Sequence, residues 1–353
     1  MRLGIIGAGT IGKTHAIAAQ SAGIEIGWIT DLNENLAKKL ANDVSSARYT
    51  TDLRNVLDDK SVNAVVIAVP NSYHKDLAVA AMDAGKDVLL EKPMGINQDE
   101  CLLINATAEK TQRVLQIGMA NRFSAVGQAA KVVAESGELG AIYHVKANLY
   151  LRRGIPGLGS WFTTKAIAGG GVLIDNGVHL VDLALWLLNF PVVTRVSGRV
   201  YSGFGSPIKD YVFENMWAGP PRLDGICDVE ESAHALIHFG EHGTIELNIA
   251  WAINMPKSME GSLVGLFGHR GGLTFELYGD HLKLASERYG RNVETRVNLP
   301  VVDGFKDQMQ AFERSVTTRE APLATGWQGQ RTQAVLDAIY ESHESNSEVA
   351  LRD

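Results

Sequence analysis

Hydrophobic and polar residues follow two rhythms along the first 120 positions of the chain. Short, nearly all-apolar runs read as buried parallel strands: RLGII (2–6), IEIGWIT (24–30), VNAVVIAV (62–69), KDVLLE (86–91) and RVLQIG (113–118). Between them KTHAIAAQSAG, NENLAKKLAND, YHKDLAVAAMDAG and NQDECLLINATAEKT repeat apolar residues at helical spacing. Strand and helix in alternation predict a doubly wound α/β sheet.

After residue 122 the texture changes. One helical pattern, VGQAAKVVAESG, precedes longer and more exposed strands: AIYHVKANLYLRR, VVTRVSGRVYS, SAHALIHF, GTIELNIAWAI, SLVGLFG, GGLTFELYG and HLKLASERY. Glycine-containing turns such as GEHG and GHRGG predict antiparallel pairing. A helical stretch over 161–188 falls between the first two of these strands, and helices over 305–320 and 328–345 close the chain. The pattern divides into domains at 1–121 and 122–353, with both closing helices in the second. Residues 203–225 have no regular pattern and read as a long loop.

Composition narrows the classes. A length of 353 residues predicts two domains, and a formal net charge of -7 argues against nucleic-acid or anionic-membrane partners. The two cysteines, Cys101 and Cys227, have no CxxC or metal spacing, which points to a reducing cytoplasm. The chain enters a strand with no leader-like segment, and its apolar runs are broken before a spanning length. The expectation is a cytoplasmic protein.

GIIGAGTIGKTHA places Gly7, Gly9 and Gly12 in GxGxxG spacing directly after the first strand and at the start of a helix. That context suits a dinucleotide pyrophosphate: a tight turn at Gly7, close backbone approach at Gly9, helix–strand packing at Gly12, and free helix amides at Thr10 and Ile11. The second strand ends in Asp31, and no Arg or Lys follows until Lys38. A carboxylate there accepts from ribose hydroxyls and repels a 2′-phosphate, favouring NAD over NADP. The residues alone leave open a solvated loop aspartate. Two further signals follow the third and fourth strands, AVPNSYH with Pro70, Asn71 and His74, and LLEKPM with Glu91 and Lys92. Ligands bind at such carboxyl edges.

The stretch AGGGVLIDNGVHLVDLALWLL (168–188) carries Asp175, His179 and Asp182 among apolar residues. At about 100° per residue the three fall within roughly 60° on a helix. Unpaired buried charge is costly, so the stripe is either a satisfied core histidine with paired aspartates or the wall of an active site.

In order, GAGTIGKTHA, VPNSYH, GKDVLLEKPM and GGGVLIDNGVHLVDLALWLL resemble the glucose–fructose oxidoreductase / inositol dehydrogenase family (Gfo/Idh/MocA), and the resemblance covers essentially the whole chain. It implies an N-terminal Rossmann domain and a C-terminal α+β domain with a large, mostly antiparallel open sheet, assembling as a homodimer or homotetramer. It also implies a cis peptide before Pro93 and a working set of Lys92, Asp175 and His179. His179 takes the proton from a substrate hydroxyl, Lys92 shares that hydrogen bond, and Asp175 holds a neighbouring hydroxyl. Asp182 is structural support. Arg122 resembles a cofactor contact, and Arg153 and Trp161 resemble substrate contacts. Asn176 and His238 depart from the family pattern, which places an apolar residue and an arginine there.

The implied activity is NAD-dependent hydride transfer from a ring hydroxyl of a sugar, polyol or sugar derivative. NADP is the second cofactor choice. Two alternatives stand beside it: a redox-neutral enzyme that cleaves glycosides with NAD retained, and a non-catalytic NAD or sugar sensor. His234, His238 and His242 have HxxxHxxxH spacing. On a strand, though, residues four apart stand roughly 13 Å from one another, so no metal site is expected.

Overall fold

A computed structural model describes residues 1–44, 47–214 and 216–351. The chain separates into two compact units, Met1–Phe123 with Asp303–Gln330, and Ser124–Val302 with Arg331–Asp353.

The first unit is built on strands β1 (Arg2–Ile6), β2 (Glu25–Thr30), β3 (Arg48–Thr50), β4 (Ala64–Ile67), β5 (Asp87–Leu90) and β6 (Leu115–Ile117). They form one parallel sheet in the order β3-β2-β1-β4-β5-β6. The order reverses at β1, the switch point where doubly wound sheets bind ligands. All four residues of β4 and of β5 are buried, as strands covered on both faces must be. The connecting helices are α1 (Thr10–Ser21), α2 (Glu34–Asp43), α3 (Arg54–Leu57), α4 (His74–Asp83) and α5 (Gln98–Thr111). Asn33 caps α2 by accepting from Asn35 N, and Asn97 caps α5 by accepting from Glu100 N. Such caps contribute about 1 kcal/mol each and set where the helices begin. The sequence pattern missed β3: three residues carrying an exposed arginine and tyrosine make no apolar run.

The second unit opens with α6 (Ala125–Glu135) and β7 (Ile142–Tyr150). A broken helical stretch follows: α7 (Lys165–Ala168), a π-helical turn over Leu173–Gly177, and α8 (Val178–Leu187). By length and composition, Lys165–Leu187 suffices to cross a membrane, contrary to the sequence reading; 83% of its apolar window is buried inside the protein, where it serves as a core helix. The remaining strands are β8 (Val193–Tyr201), β9 (Ser232–Phe239), β10 (Gly243–Ala250), β11 (Gly261–Gly268), β12 (Gly271–Phe275), β13 (His281–Arg288), β14 (Arg291–Asn298) and β15 (Val349–Ala350). Together they make a nine-stranded sheet, β14-β13-β12-β11-β7-β10-β9-β8-β15, antiparallel except between β7 and β10. Val145, Ala147, Ile245, Leu247 and Ile249 line its buried face, against which α8 packs. Strand β14 was unread because, as an exposed edge, it has no apolar alternation to show.

Helix α9 (Gly304–Thr318) corrects the expected domain boundary. The pattern places it in the second domain, but Met309, Phe312 and Val316 bury into the core of the first unit with Leu3, Ile5, Ala16 and Ala19. Beyond α9, Arg319 Nη1 donates to the buried Asp87 at 2.8 Å. An amphipathic period shows that a helix buries one face; it does not say against which sheet. The division falls inside α10 (Gly326–Ser345), after Gln330.

Candidate active site

In the first unit the candidate cofactor residues gather at the carboxyl ends of neighbouring strands. Gly7 has φ +98°, and an added Cβ would lie 2.1 Å from the Ala68 carbonyl oxygen. At Gly12 a Cβ would lie 1.9 Å from the Gly7 carbonyl, so the helix seats directly on the loop. At Gly9, by contrast, a Cβ would meet nothing within 4 Å. Gly9 is the N-cap of α1 with no side-chain cap, no acid in the first turn, and Thr10 and Ile11 exposed. Open, uncapped amides at a helix start fit the pyrophosphate of a dinucleotide.

Asp31 is anchored beside this loop. Ala8 N donates to its Oδ2 and Asn33 N to its Oδ1, both at 2.8 Å. The carboxylate is thereby fixed with further lone pairs available to ribose hydroxyls. Pro70 is partly exposed, whereas Asn71 is buried in a short 3₁₀ turn. Lys92 is half-buried, its backbone N donates to Glu91 Oε2 at 3.2 Å, and the Lys92–Pro93 peptide is cis.

Two expected cofactor contacts sit elsewhere. His74 has no exposed surface; its Nδ1 lies 2.7 Å from the Pro93 carbonyl and its Nε2 2.9 Å from that of Val69. Burial pushes its pKa down, against the pull of the two carbonyls. The ring staples the turn after β4 to the turn after β5. Arg122 is likewise fully buried, and its Nη1 donates to the Leu323 carbonyl and to Gln328 Oε1. Neither side chain offers a ligand any surface in this arrangement. Sequence spacing places a residue near a strand end but does not say which way it turns.

In the second unit the polar stripe is built on the π-helical turn. Val178 N reaches back to the Leu173 carbonyl, five residues away, so Asp175 and His179 are not related by a regular α-helical turn. The expected 60° stripe is corrected accordingly. Every residue of α8 is buried except His179, and in the turn before it Asp175 and Asn176 are half-buried among buried Leu173, Ile174 and Gly177. These three side chains are the accessible part of an otherwise apolar element. His179 Nδ1 is buried. Asn176 bridges Asp175 to the core: its amide donates to Asp175 Oδ2 at 3.3 Å and accepts from Trp251 Nε1 at 3.2 Å. Asp182 is buried, accepting from Thr332 Oγ1 at 3.4 Å, in keeping with a supporting role.

Trp161 stacks on Phe162 at 3.8 Å, and Trp217 meets Phe162 edge-on at 5.4 Å, so the irregular loop does return to this aromatic pair. Asn215 of that loop lies outside the described residues. Arg153 donates to the carbonyls of Arg152 and Ile253 and to Asn254 Oδ1, tying together the chain beyond β7 and β10. His234 and His238 stand on β9 and His242 in the turn after it, and His234 Nδ1 lies 2.8 Å from Asn248 Oδ1.

Residues 1–119 match the NAD-binding Rossmann-fold model of the Gfo/Idh/MocA oxidoreductases, and residues 132–351 match the model of their C-terminal α/β domain. The chain belongs to the Gfo/Idh/MocA oxidoreductase family. It is 28% identical to the D-glucoside 3-dehydrogenase of Escherichia coli K12 over 99% of this chain and 97% of that protein. It is 25% identical to inositol 2-dehydrogenase 2 of Saccharopolyspora erythraea over 97% and 93% of the two chains. Levoglucosan dehydrogenase in complex with NADH and levoglucosan shares the fold, with a TM-score of 0.87 at 22% identity over the full length of both chains.

In this Gfo/Idh/MocA protein the residues that sequence reasoning missed lie behind the stripe. Glu230 is buried, and its Oε1 accepts from Gly171 N, Leu173 N and Tyr340 Oη at 2.9, 3.0 and 2.8 Å. An added Cβ at Gly170 would lie 2.0 Å from Tyr340 Oη, and one at Gly171 would lie 1.9 Å from the Glu230 carbonyl. The consecutive glycines were the only signal, marking a close approach whose partner the sequence does not name. Burial raises the Glu230 carboxyl above the usual carboxylate range, and the bonds it accepts oppose the rise. A group whose pKa rises on folding contributes its full stability below the unfolded value, near 4.5, and loses it as pH climbs through the folded value. Glu230→Gln has no proton to lose there. Its melting temperature is expected to gain on that of the native protein as the pH is raised from about 4 to about 8. Thermal melts of both proteins across that range check it; a constant gap refutes the assignment.

Proposed function

We propose that this oxidoreductase removes a hydride from a ring CH–OH of a neutral sugar, polyol or glycoside, with NAD as acceptor. The observation that carries the reading is His179, the one accessible residue of a buried apolar helix, with Asp175 preceding it on the π-helical turn. NAD, when bound, supplies the hydride acceptor. His179 Nε2 takes the proton of the reacting hydroxyl, and Lys92 Nζ donates a hydrogen bond to the same oxygen as negative charge grows on it. Asp175 accepts from the hydroxyl on the adjacent carbon, its carboxylate steadied by Asn176. Trp161 presents an aromatic face to sugar C–H groups. Arg153 already bonds to backbone carbonyls and Asn254, which supports a neutral substrate over a carboxylate or phosphate. Names of relatives point the same way, one acting on D-glucosides and another on inositol.

NADH formation across inositols, aldoses, glycosides and simple alcohols tests the reading. Activity is expected with cyclic polyols or glycosides; activity confined to acyclic alcohols or amino acids refutes it. Glycoside cleavage with no net NADH indicates the redox-neutral reaction instead. We further propose a cytoplasmic homodimer or homotetramer formed through the open sheet. The face carrying Leu236, Leu263 and Tyr201 leaves these large apolar side chains exposed, and light scattering in solution decides the assembly.

A further inference from the structure

The motif GAGTIGKTHA carries a histidine, next to its last residue, that the account of nucleotide binding does not use. His15, on α1, has no exposed surface, and its Nε2 lies 2.6 Å from Glu91 Oε1. Because the partner is a carboxylate, Nε2 carries the hydrogen and donates. Its other nitrogen, Nδ1, is buried without a hydrogen-bond partner, and the ring meets Phe305 edge-on at 5.4 Å. Buried side-chain nitrogens normally have a partner, and in this ring Glu91 supplies one to Nε2 alone.

Glu91 is placed just as closely. Its backbone N donates to the Ile67 carbonyl at 3.0 Å, and its Oε2 accepts from Lys92 N at 3.2 Å. Gly118 leaves the room it needs: an added Cβ there would lie 2.7 Å from Glu91 Oε1. One carboxylate thus receives the α1 imidazole on one oxygen and the Lys92 amide on the other.

We propose that His15 is a positioning residue for Lys92, acting through Glu91, so that the helix beginning at the dinucleotide motif sets the direction of the lysine. The inference rests on the role given to Lys92 under the proposed function. With leucine at position 15 the buried carboxylate loses the imidazole donor on Oε1 and turns toward other partners, and the Lys92 amide follows it. Misplacement of a reacting group by about 1 Å is enough to cost about 10²-fold in rate.

The experiment compares the full-length native protein with His15→Leu, His15→Gln and Lys92→Met/His15→Leu. Glutamine places an amide N–H where the imidazole Nε2–H stands. Two readouts are taken: kcat and KM for the best polyol, and the rate at which Lys92 is acetylated by acetic anhydride, with exposed Lys38 and Lys39 as internal references. His15→Leu is expected to lower kcat by about 10–100-fold with KM within about threefold, and to change the Lys92 acetylation rate by about threefold or more. His15→Gln restores both, and in the Lys92→Met background His15→Leu costs nothing further. A His15→Leu protein that melts early yet keeps native kcat and native Lys92 reactivity overturns the proposal. If His15→Leu does not fold, Glu91→Gln replaces it with the same expectations. Should the native protein oxidise no polyol at all, the proposed function fails, and Lys92 acetylation alone decides the positioning role: moved by leucine and restored by glutamine supports it, unmoved overturns it.

Discussion

Lys92→Met and His179→Ala are each expected to lower turnover by about 10²–10⁴-fold while leaving NAD affinity within a few-fold of native, the usual worth of a positioned acid or base. Neither should cost much stability. Lys92 is half-buried on the turn after β5, and methionine retains most of its apolar stem. His179 is the accessible residue of α8, so alanine removes few core contacts there. Steady-state kinetics per folded molecule, with NAD titrated by fluorescence, provide the check. A His179→Ala protein that melts early yet turns over normally would make His179 a core histidine, and the case for chemistry on this helix would fall with it. Rescue of His179→Ala by added imidazole would identify the missing group as the proton acceptor.

Exchanging Asp31 for serine and Leu32 for arginine is expected to move the NADP-to-NAD preference by about 10²-fold or more. Two effects add. A like-charge clash with the 2′-phosphate is removed, and an arginine–phosphate hydrogen bond of about 1.5–3 kcal/mol is gained, at about 1.4 kcal/mol per tenfold. Leu32 is 92% exposed, so arginine enters without disturbing the core. Asp31 also accepts from Ala8 N and Asn33 N, and the serine hydroxyl keeps an acceptor at that place. Titrating both cofactors into native and doubly substituted protein measures the ratio; native protein that binds NADP as tightly as NAD contradicts the role given to Asp31.

Much of this protein was legible in local pattern. Strands β1, β4 and β5 are buried on both faces and leave continuous apolar runs, and Gly7, Gly9 and Gly12 mark a loop whose geometry is set within six residues. The concentration of Asp175 and His179 in an apolar helix was equally plain, because burying ionisable groups without purpose is costly. What pattern did not carry was contact at a distance. Glu230 clamps the backbone ahead of Asp175 from 59 residues away, Tyr340 reaches Glu230 across 110, and His15 meets Glu91 across 76. A hydrogen bond between such residues leaves no periodicity in either segment. The same reason hid the close packing of Gly170 and Gly171 against Tyr340 and Glu230, just ahead of the π-helical turn. It also hid the partner of α9, whose apolar face announces burial but not the sheet that receives it, and it turned inward His74, which its place after a strand assigns to a ligand, and Arg122, which the family resemblance assigns to one. Local sequence specifies which groups are present and which face of an element is buried; only closure of the chain in three dimensions specifies which groups meet.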